Sequence, residues 1–413
     1  MTDRASAGSA RRPLAIVFTV VLMDLAGFGL VLPLLPLYAD QLGGSHYYIG
    51  ALLSIYSLMQ FVINPLWGRL SDRVGRRPII LLSLTGSTLA YTAYGLAEHA
   101  PGGHAGVLTV LFVSRLLAGV MAANIATAQA IVADVTKPED RARGMGMVGA
   151  AIGLGFVIGP SLGALFTLEP MRAAYGLGLP GFVAAGLSLL NLLWAARALP
   201  ETLAEQHQAS ARATAWFQGW GALRQGRLAL MVGAMFLITL AFSQFESAFS
   251  LLANLQFRLP PSRIGLIFAY MGILMVIMQG GFTRRLVKRW GERPVLLAGG
   301  AVMGLGLAGV AHVQGTAGLL AWLGLLAVGF GAAQPALLSL ISRFAPEDGQ
   351  GLTLGVSQSM ASLARIIGPT LGLTLFGTLS MRSPFWAAGL FMLGVVLAAA
   401  LLPRQSAMPA AES

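Results

Sequence analysis

The sequence predicts an all-α integral membrane protein in which twelve transmembrane helices form two six-helix bundles. Of its 413 residues, 56% are hydrophobic and only 10% are charged, and the mean hydropathy is +0.74. Soluble domains carry about 25% charged residues, so a soluble fold of this composition would lack the polar surface needed to cover it. Apolar runs of about twenty residues, which is the length a helix needs to cross the hydrocarbon core, recur along the whole chain.

Twelve apolar runs are separated by short polar turns, with one longer polar segment between the sixth and the seventh. The spans are predicted near residues 14–38, 48–67, 79–97, 106–130, 144–168, 175–196, 229–252, 262–283, 295–313, 318–340, 351–376 and 383–402. The first run is too long for the apolar part of a signal peptide, which predicts a retained span. The predicted domains are an N-terminal bundle (1–196), a cytoplasmic linker (197–228), and a C-terminal bundle with a short tail (229–413).

The linker contains an aromatic pattern that predicts an interfacial helix. Trp216, Phe217, Trp220 and Leu223 fall on one helical face, with arginines nearby. Such a helix would lie on the cytoplasmic leaflet with its apolar face in the lipid. An unstructured basic connector is the alternative that this pattern leaves open.

The distribution of Lys and Arg predicts the orientation. With the N-terminus inside, 21 of the 27 basic residues fall in cytoplasmic segments, 4 fall outside, and Arg115 and Arg365 lie within spans. This bias follows the positive-inside rule and places both termini in the cytoplasm. One missed span would scramble the alternation, so the same count supports twelve spans. The predicted location is the inner (plasma) membrane.

The two halves share landmarks in the same order, which indicates a duplicated six-span unit. Gly75-Arg76-Arg77-Pro78 corresponds to Gly291-Glu292-Arg293-Pro294, and Pro138-Glu139-Asp140 corresponds to Pro346-Glu347-Asp348. Gly159-Pro160-Ser161-Leu162-Gly163 likewise corresponds to Gly368-Pro369-Thr370-Leu371-Gly372. A parallel repeat of two six-span halves is a transporter architecture, with the substrate site expected near the midplane between the halves.

Several function classes are excluded by what the sequence lacks. The net charge of +11 reflects basic loops between spans rather than a basic, aromatic groove, so no nucleic-acid partner is expected. The chain has no Cys, and its five His have no metal-ligand spacing, so no metal site and no cofactor are predicted. No clustered catalytic residues and no phosphate-binding GxxxxGK occur, which predicts a protein that is not an enzyme and is driven by an ion gradient.

The strongest motif is the turn between spans two and three, Gly68-Arg69-Leu70-Ser71-Asp72-Arg73-Val74-Gly75-Arg76-Arg77. It closely resembles the loop signature of the major facilitator superfamily, and with the twelve spans and two halves the resemblance covers essentially the whole chain. The resemblance implies a cytoplasmic gate that clamps the halves, formed by Gly68, Asp72, Arg73, Gly75, Arg76, Arg77 and Asp134. Asp72 would cap span eleven near Gly351, and Asp134 would pair with the arginines. In the second copy Lys288 stands at the position of Asp72, so the role of Asp72 is not expected there.

A second motif lies on span five, where Gly155, Gly159 and Gly163 recur every four residues with Pro160 between them. Small residues at this spacing make a face for close helix contact, and Pro160 kinks the span. The run resembles the fifth-span motif of the family's drug–proton antiporter branch, although Ala164 replaces its final glycine. The resemblance implies export in exchange for protons, with this face sealing the contact between the halves. Plain helix packing without directional meaning is the alternative.

Asp24 and Glu246 are the acidic residues that fall clearly within spans, and Arg115 lies at mid-membrane on span four. A carboxyl in hydrocarbon favours its neutral form and can be loaded with a proton near neutral pH, so these three residues are the predicted proton-coupling group. Helical rise places Asp24 and Arg115 at a similar depth, which predicts an ion pair if their spans adjoin. Arg115 also resembles the family's fourth-span arginine, implicated in proton coupling. The alternatives are a structural Arg115 and a Glu246–Arg365 salt bridge.

These observations predict a proton-coupled antiporter, similar to tetracycline and multidrug exporters, that exports small amphipathic compounds by alternating access. Aromatic and amide side chains would contact substrate in a largely apolar cavity, namely Phe28, Tyr56, Gln60, Phe242, Gln244 and Gln334. The expected partners are a small-molecule substrate, protons and membrane lipids, and the expected state is a monomer. A proton symporter for a sugar or organic acid, or a lipid or glycolipid exporter, is the alternative.

Overall fold

The computed structural model describes residues 3–122, 124–136, 141–168, 170–171, 175–203, 226–344 and 350–402. Within these ranges the chain is helical and contains no strand. The predicted interfacial helix of the linker lies outside the described residues.

Eight α-helices and one short 3-10 helix (Ala97–His99) precede the linker in the described residues, and each predicted span of the first half falls on the α-helices. The α-helices are α1 (Asp3–Val31), α2 (Leu35–Gln41), α3 (His46–Val74), α4 (Arg76–Gly95), α5 (Gly103–Met121), α6 (Ile125–Val135), α7 (Arg141–Phe166) and α8 (Leu179–Ala198). Two spans are broken, because span one comprises α1 and α2 and span four comprises α5 and α6. The break in span one contains Pro33, and Pro36 lies in the first turn of α2, where the missing N–H leaves no hydrogen bond unmade.

The second half contains seven α-helices and one π-helical segment. They are α9 (Gly226–Phe257), α10 (Pro261–Ile277), the π-helix Met278–Phe282, α11 (Thr283–Trp290), α12 (Glu292–His312), α13 (Thr316–Phe344), α14 (Gln350–Thr378) and α15 (Ser383–Leu401). Predicted span eight comprises α10 and the π-helix, and the basic helix α11 continues beyond its predicted end; the other spans of this half are single helices.

Nine helices of the described chain are long and apolar enough to cross a membrane, and α10 is a shorter apolar helix. The helices α4 and α7 occupy the positions of predicted spans three and five. This is a multi-pass, all-α membrane protein, which confirms the predicted fold class.

The described residues fall into two compact units. One contains those within Met1–Ala213 together with Ser250–Ala269, and the other contains those within Thr214–Phe249 and Tyr270–Ser413. In the first unit α1 packs against α6, α7 and α8, while α4 packs against α5 and α8. In the second unit α12 packs against α13 and α15.

A glycine turn occurs at the same place in each half. Gly75 joins α3 to α4 with φ +109°, and Gly291 joins α11 to α12 with φ +82°. Residues with a side chain rarely adopt these angles, so the glycine is required at both positions. This equivalence supports the repeat that the landmarks predicted.

Candidate functional site: a buried carboxyl and two charged clusters

Side chains of spans two and three form hydrogen bonds with the backbone at the break in span four. The carbonyl oxygens of Val120, Met121 and Ala122 lie where α5 ends, before α6 begins. They accept hydrogen bonds from Trp67 Nε1 at 2.6 Å, Ser83 Oγ at 2.6 Å and Gln60 Nε2 at 3.1 Å, respectively. Backbone groups exposed by a break at membrane depth must be satisfied within the protein, so these three side chains stabilise the break. Gln60, predicted to contact substrate, is committed here to the helix backbone.

Asn124 lies at this break and reaches the acidic residue of span one. Its Nδ2 donates to Asp24 Oδ2 at 2.5 Å and to Ser83 Oγ at 2.8 Å. Asp24 is 4% exposed, and Asn124 and Ser83 are fully buried. The carboxyl predicted to couple transport to protons therefore lies in the interior with an uncharged amide as its partner.

Arg115 lies against two tyrosines rather than against Asp24. Its guanidinium carbon is 5.3 Å from the ring centre of Tyr91 and 5.4 Å from that of Tyr94. Arg115 is 2% exposed, and its Nε and Nη2 have no hydrogen-bond partner. Cation–π contacts of this kind stabilise a desolvated arginine.

The predicted ion pair between Asp24 and Arg115 is not formed within the described residues. The reason is topological, since α5 packs on α3 and α4, whereas α6 is the part of span four that packs on α1. Tyr91 of α4 interacts electrostatically with both groups, and its hydroxyl end lies against Gly27 of α1. Tyr91 therefore lies near both groups, which are not in direct contact within the described residues.

The motif between spans two and three forms a cluster around Arg76. The Arg76 guanidinium donates to Asp134 Oδ2 at 3.1 Å, to Ser71 Oγ at 2.7 Å and to the Asp72 carboxylate. Arg76 is 7% exposed, whereas the carboxyl groups are partly exposed. The contact of Asp134 with the arginine cluster agrees with the sequence expectation. The proposed cap of span eleven by Asp72 would join the two units and stays a prediction.

The other predicted gate residues differ in their surroundings. Arg73 is exposed, and Gly68 has open space beside it, while its carbonyl accepts a hydrogen bond from Ser71 Oγ. Arg77 donates to the carbonyl oxygen of Ala196 at 2.7 Å, near the C-terminus of α8. Cations are favourable at helix C-termini, so Arg77 links the motif to span six.

Glu201 completes this cluster and was missed by the sequence interpretation. Its carboxylate accepts hydrogen bonds from the backbone N–H groups of Arg76 and Arg77, at 2.9 and 3.1 Å, and so caps the N-terminus of α4. It also accepts from the N–H groups of Thr202 and Leu203. A Cβ at Gly75 would lie against this carboxylate, so the cap needs glycine there. The acidic residue directly after the end of span six was the available signal.

The same hydrogen bonds set the protonation behaviour of Glu201. Partial desolvation raises the pKa of Glu201, but the backbone N–H donors of Leu203, Arg76, Arg77 and Thr202 outweigh this effect and hold the pKa below its ordinary value. A group with a lowered folded-state pKa stabilises the protein above its unfolded pKa. That contribution is lost as the pH falls through the lowered value.

We expect Glu201→Gln to lower the melting temperature at pH 7, because the amide loses the charge that favours the N-terminus of α4. The difference from the parent protein should shrink as the pH is lowered below about 4.3, the ordinary pKa of Glu. Thermal unfolding in detergent between pH 3 and pH 7 measures both effects. A difference that does not change with pH would show that the charge of Glu201 contributes nothing.

The glycine face of span five packs on span one. A Cβ at Gly155 would lie 2.5 Å from Leu25 Cβ, one at Gly159 would lie 2.6 Å from the Ala26 carbonyl oxygen, and one at Gly163 would lie 2.6 Å from the Leu30 carbonyl oxygen. Pro160 meets α1 at Gly29. The face therefore brings α7 into backbone contact with α1, the helix that carries Asp24. Its predicted role in sealing the halves stays a prediction.

Gly159→Ala should destabilise the protein, because its Cβ would press on backbone atoms of Ala26 and Gly29 that cannot move independently of α1. Overpacking of this kind costs about 1–3 kcal/mol. Gly233→Ala is the matched control, since nothing lies within 4 Å of its Cβ position. The fraction of protein that stays monodisperse after heating measures the effect, and equal losses for the two variants would refute the packing role.

Span seven presents Glu246 and Phe242 on one stripe. Between residues 238 and 253 of α9, these two side chains are partly exposed and the others are buried. Phe242 stacks on Phe330 of α13 with ring centres 4.4 Å apart, and Arg365 of α14 interacts electrostatically with Glu246. Glu246 therefore has a cationic neighbour, which agrees with the salt-bridge alternative for Glu246.

The remaining predicted substrate contacts are mostly buried. Phe28 stacks on Tyr56 with ring centres 4.4 Å apart, and both rings are less than 10% exposed. Gln244 is fully buried and donates to the Pro384 carbonyl oxygen at 2.9 Å, so its amide nitrogen is committed to helix packing. Gln334 is half-buried. Contact of these side chains with substrate stays a prediction.

The second unit has its own ion pair, with the charges reversed. Glu292, at the position corresponding to Arg76, is 5% exposed and bonds to Arg343 at 2.9 Å and to Ser339. Arg293, which corresponds to Arg77, donates to the carbonyl oxygens of Ala399 and Ala400 at the end of α15. Lys288 indeed replaces Asp72, but the second copy does not lack an acid in its cluster. The acid stands four residues later, at Glu292.

Comparison with known proteins gives a consistent result. The family model of the Major Facilitator Superfamily matches residues 17–355 and 282–412. The chain is 34% identical over 403 residues to the tetracycline resistance protein, class C, of Escherichia coli, covering 94% of this chain and 95% of that protein. It is 30% identical to multidrug resistance protein 2 of Bacillus subtilis (strain 168), covering 92% of each chain. The crystal structure of the human organic anion transporter MFSD10 (TETRAN) superposes with a TM-score of 0.69 at 24% identity, covering 94% of this chain and 99% of that chain.

Proposed function

Because this chain belongs to the major facilitator superfamily, it is a membrane transporter, and we propose that it is a proton-coupled antiporter that exports small amphipathic compounds from the cell. The observation that carries the proposal is the buried carboxyl of Asp24, held in span one by the uncharged Asn124. An ionisable group inside a membrane protein is expensive to bury and marks an ion or substrate pathway. A carboxyl with a neutral partner can change its protonation state without leaving a buried counter-ion unpaired.

The named activities of the relatives support export rather than uptake. Proteins called tetracycline resistance and multidrug resistance proteins match the chain over nearly its full length. In the proposed cycle Asp24 takes up a proton from outside and releases it inside, while the substrate moves outward. The Arg76 cluster would act as the cytoplasmic gate, Arg115 would act on Asp24 through Tyr91, and Glu246 would assist in the second unit. The protein would function as a monomer with both termini in the cytoplasm.

A second candidate is transport of an organic acid, and Arg115 is the observation that favours it. The guanidinium is buried, yet two of its nitrogens have no hydrogen-bond partner. A carboxylate would satisfy both nitrogens in a bidentate arrangement. Acidic and neutral analogues of one compound, compared in the same assay, separate this candidate from a general exporter.

The direct test is transport in everted membrane vesicles that contain the protein. An imposed proton gradient, acidic inside, should drive accumulation of tetracycline or of a fluorescent cationic dye, and a protonophore should abolish it. Vesicles with an empty vector provide the control. Accumulation that ignores the gradient, or that needs the opposite gradient, would contradict proton antiport.

A further inference from the structure

Asn124 is the N-cap residue of α6, but its side chain makes no capping hydrogen bond to that helix. Asparagine is strongly preferred at this position because its oxygen accepts from the first free N–H groups. Here the amide is turned toward α1, where its two N–H groups reach Asp24 and Ser83. The side chain has thus lost its usual local role and serves the carboxyl of span one.

Two acceptor atoms remain without a donor beside this hydrogen bond. They are Asp24 Oδ1 and Asn124 Oδ1, both buried. Buried polar atoms of this kind are rare in folded proteins and call for an explanation. One proton added to Asp24 Oδ1 would turn that atom into a donor, and the carbonyl oxygen of the adjoining amide is an acceptor that lacks one.

We propose that Asn124 completes the proton-binding site of Asp24 by forming a cyclic acid–amide pair with the protonated carboxyl. In this pair Asp24 O–H donates to Asn124 Oδ1, while Asn124 Nδ2 donates to Asp24 Oδ2. When the proton leaves, the N–H bond to Oδ2 remains and holds the carboxylate. The inference rests on the proposed antiport, and it makes Asn124 a positioning residue oriented by Ser83.

The other groups around this pair are few and are named by their contacts. Tyr91 of α4 interacts electrostatically with Asp24 and with Arg115, and Ser83 of the same helix donates to the carbonyl oxygen of Met121. None of these side chains is a carboxylate, so one titrating acid in this part of the described chain accounts for the proposed proton.

The test measures the pH profile of transport and the infrared carbonyl band of protonated Asp24, assigned by its loss in Asp24→Asn. In Asn124→Ala the band should move to higher wavenumber, because both hydrogen bonds to the acid are lost. The pH of half-maximal export should move by roughly one unit, which corresponds to a tenfold change in the proton-binding constant of the site. Asn191→Ala removes a different buried amide, on span six, whose side-chain atoms have no hydrogen-bond partner, and it should leave both readouts unchanged.

Asn124→Asp keeps the shape of the side chain and guards against misfolding of the alanine variant. Its second carboxyl would share the proton, so the pH profile must move if Asn124 faces that proton. A folded Asn124→Asp or Asn124→Ala with the parental pH profile and band would overturn the inference. If the parent protein shows no export driven by a proton gradient, the proposed function fails instead, whereas the infrared band still tests the pair.

Discussion

Asp24→Asn is expected to lose all export driven by a proton gradient while the protein remains folded and inserted in the membrane. The carboxamide cannot release or bind a proton near neutral pH, so the coupling step has no carrier. Asn has nearly the same volume as Asp, and its side-chain oxygen still accepts the hydrogen bond that Asn124 Nδ2 donates to Asp24. The packing around the position therefore survives, and the loss falls on coupling rather than on stability.

Two measurements on the Asp24→Asn variant separate coupling from binding. Accumulation in everted vesicles under an imposed gradient should fall to the level of the empty vector, whereas energy-independent exchange of preloaded substrate should persist. Asp40→Asn, near the end of α2 and beyond the predicted bound of span one, is the control for loss of a carboxyl outside the span interior. Gradient-driven export by Asp24→Asn at the parental rate would remove Asp24 from the mechanism.

Much of the fold follows from the sequence because the bilayer imposes simple constraints on it. Every predicted span falls on a described helix, since about twenty apolar residues need a helix to satisfy their backbone groups in lipid. The repeated motif placed Gly75 and Gly291 at corresponding positions of the sequence, and both adopt a positive φ in the structure. The pairing of Asp134 with Arg76 followed from a resemblance rather than from spacing.

The partner of Asp24 could not be predicted in the same way. Asp24 and Asn124 are one hundred residues apart, and hydropathy averages over the break in span four that turns Asn124 toward α1. Equal depth made Arg115 the obvious partner, but depth does not determine which face a helix presents to which neighbour. The acids Glu201 and Glu292 were overlooked for a related reason, since both lie at helix ends in turns where many charged residues serve only as solubility or topology signals.

The other large effect should come from Arg76→Glu, which places a third carboxylate beside Asp72 and Asp134. Breaking a buried ion pair by changing one partner costs on the order of 3 kcal/mol, and partial exposure of the two carboxyl groups reduces this figure. We expect a marked fall in melting temperature and in export. Arg69→Ala, which changes an exposed residue of the same motif near the end of α3, should change neither.

The second unit indicates how this damage can be repaired. There Lys288, Glu292 and Arg343 carry the opposite charges, so that an acid begins α12 and a base ends α13, the signs that helix dipoles favour. In the first unit Arg76 begins α4 and Asp134 ends α6, the unfavourable signs. The triple variant Asp72→Lys, Arg76→Glu and Asp134→Arg copies the second arrangement and should recover most of the melting temperature lost in Arg76→Glu.

A triple variant as unstable as Arg76→Glu alone would show that the charge order of the first unit is fixed by contacts other than these three. A stable triple variant that does not transport would instead show that the gate needs these particular charges, because the ion pairs among residues 72, 76 and 134 would then still be formed.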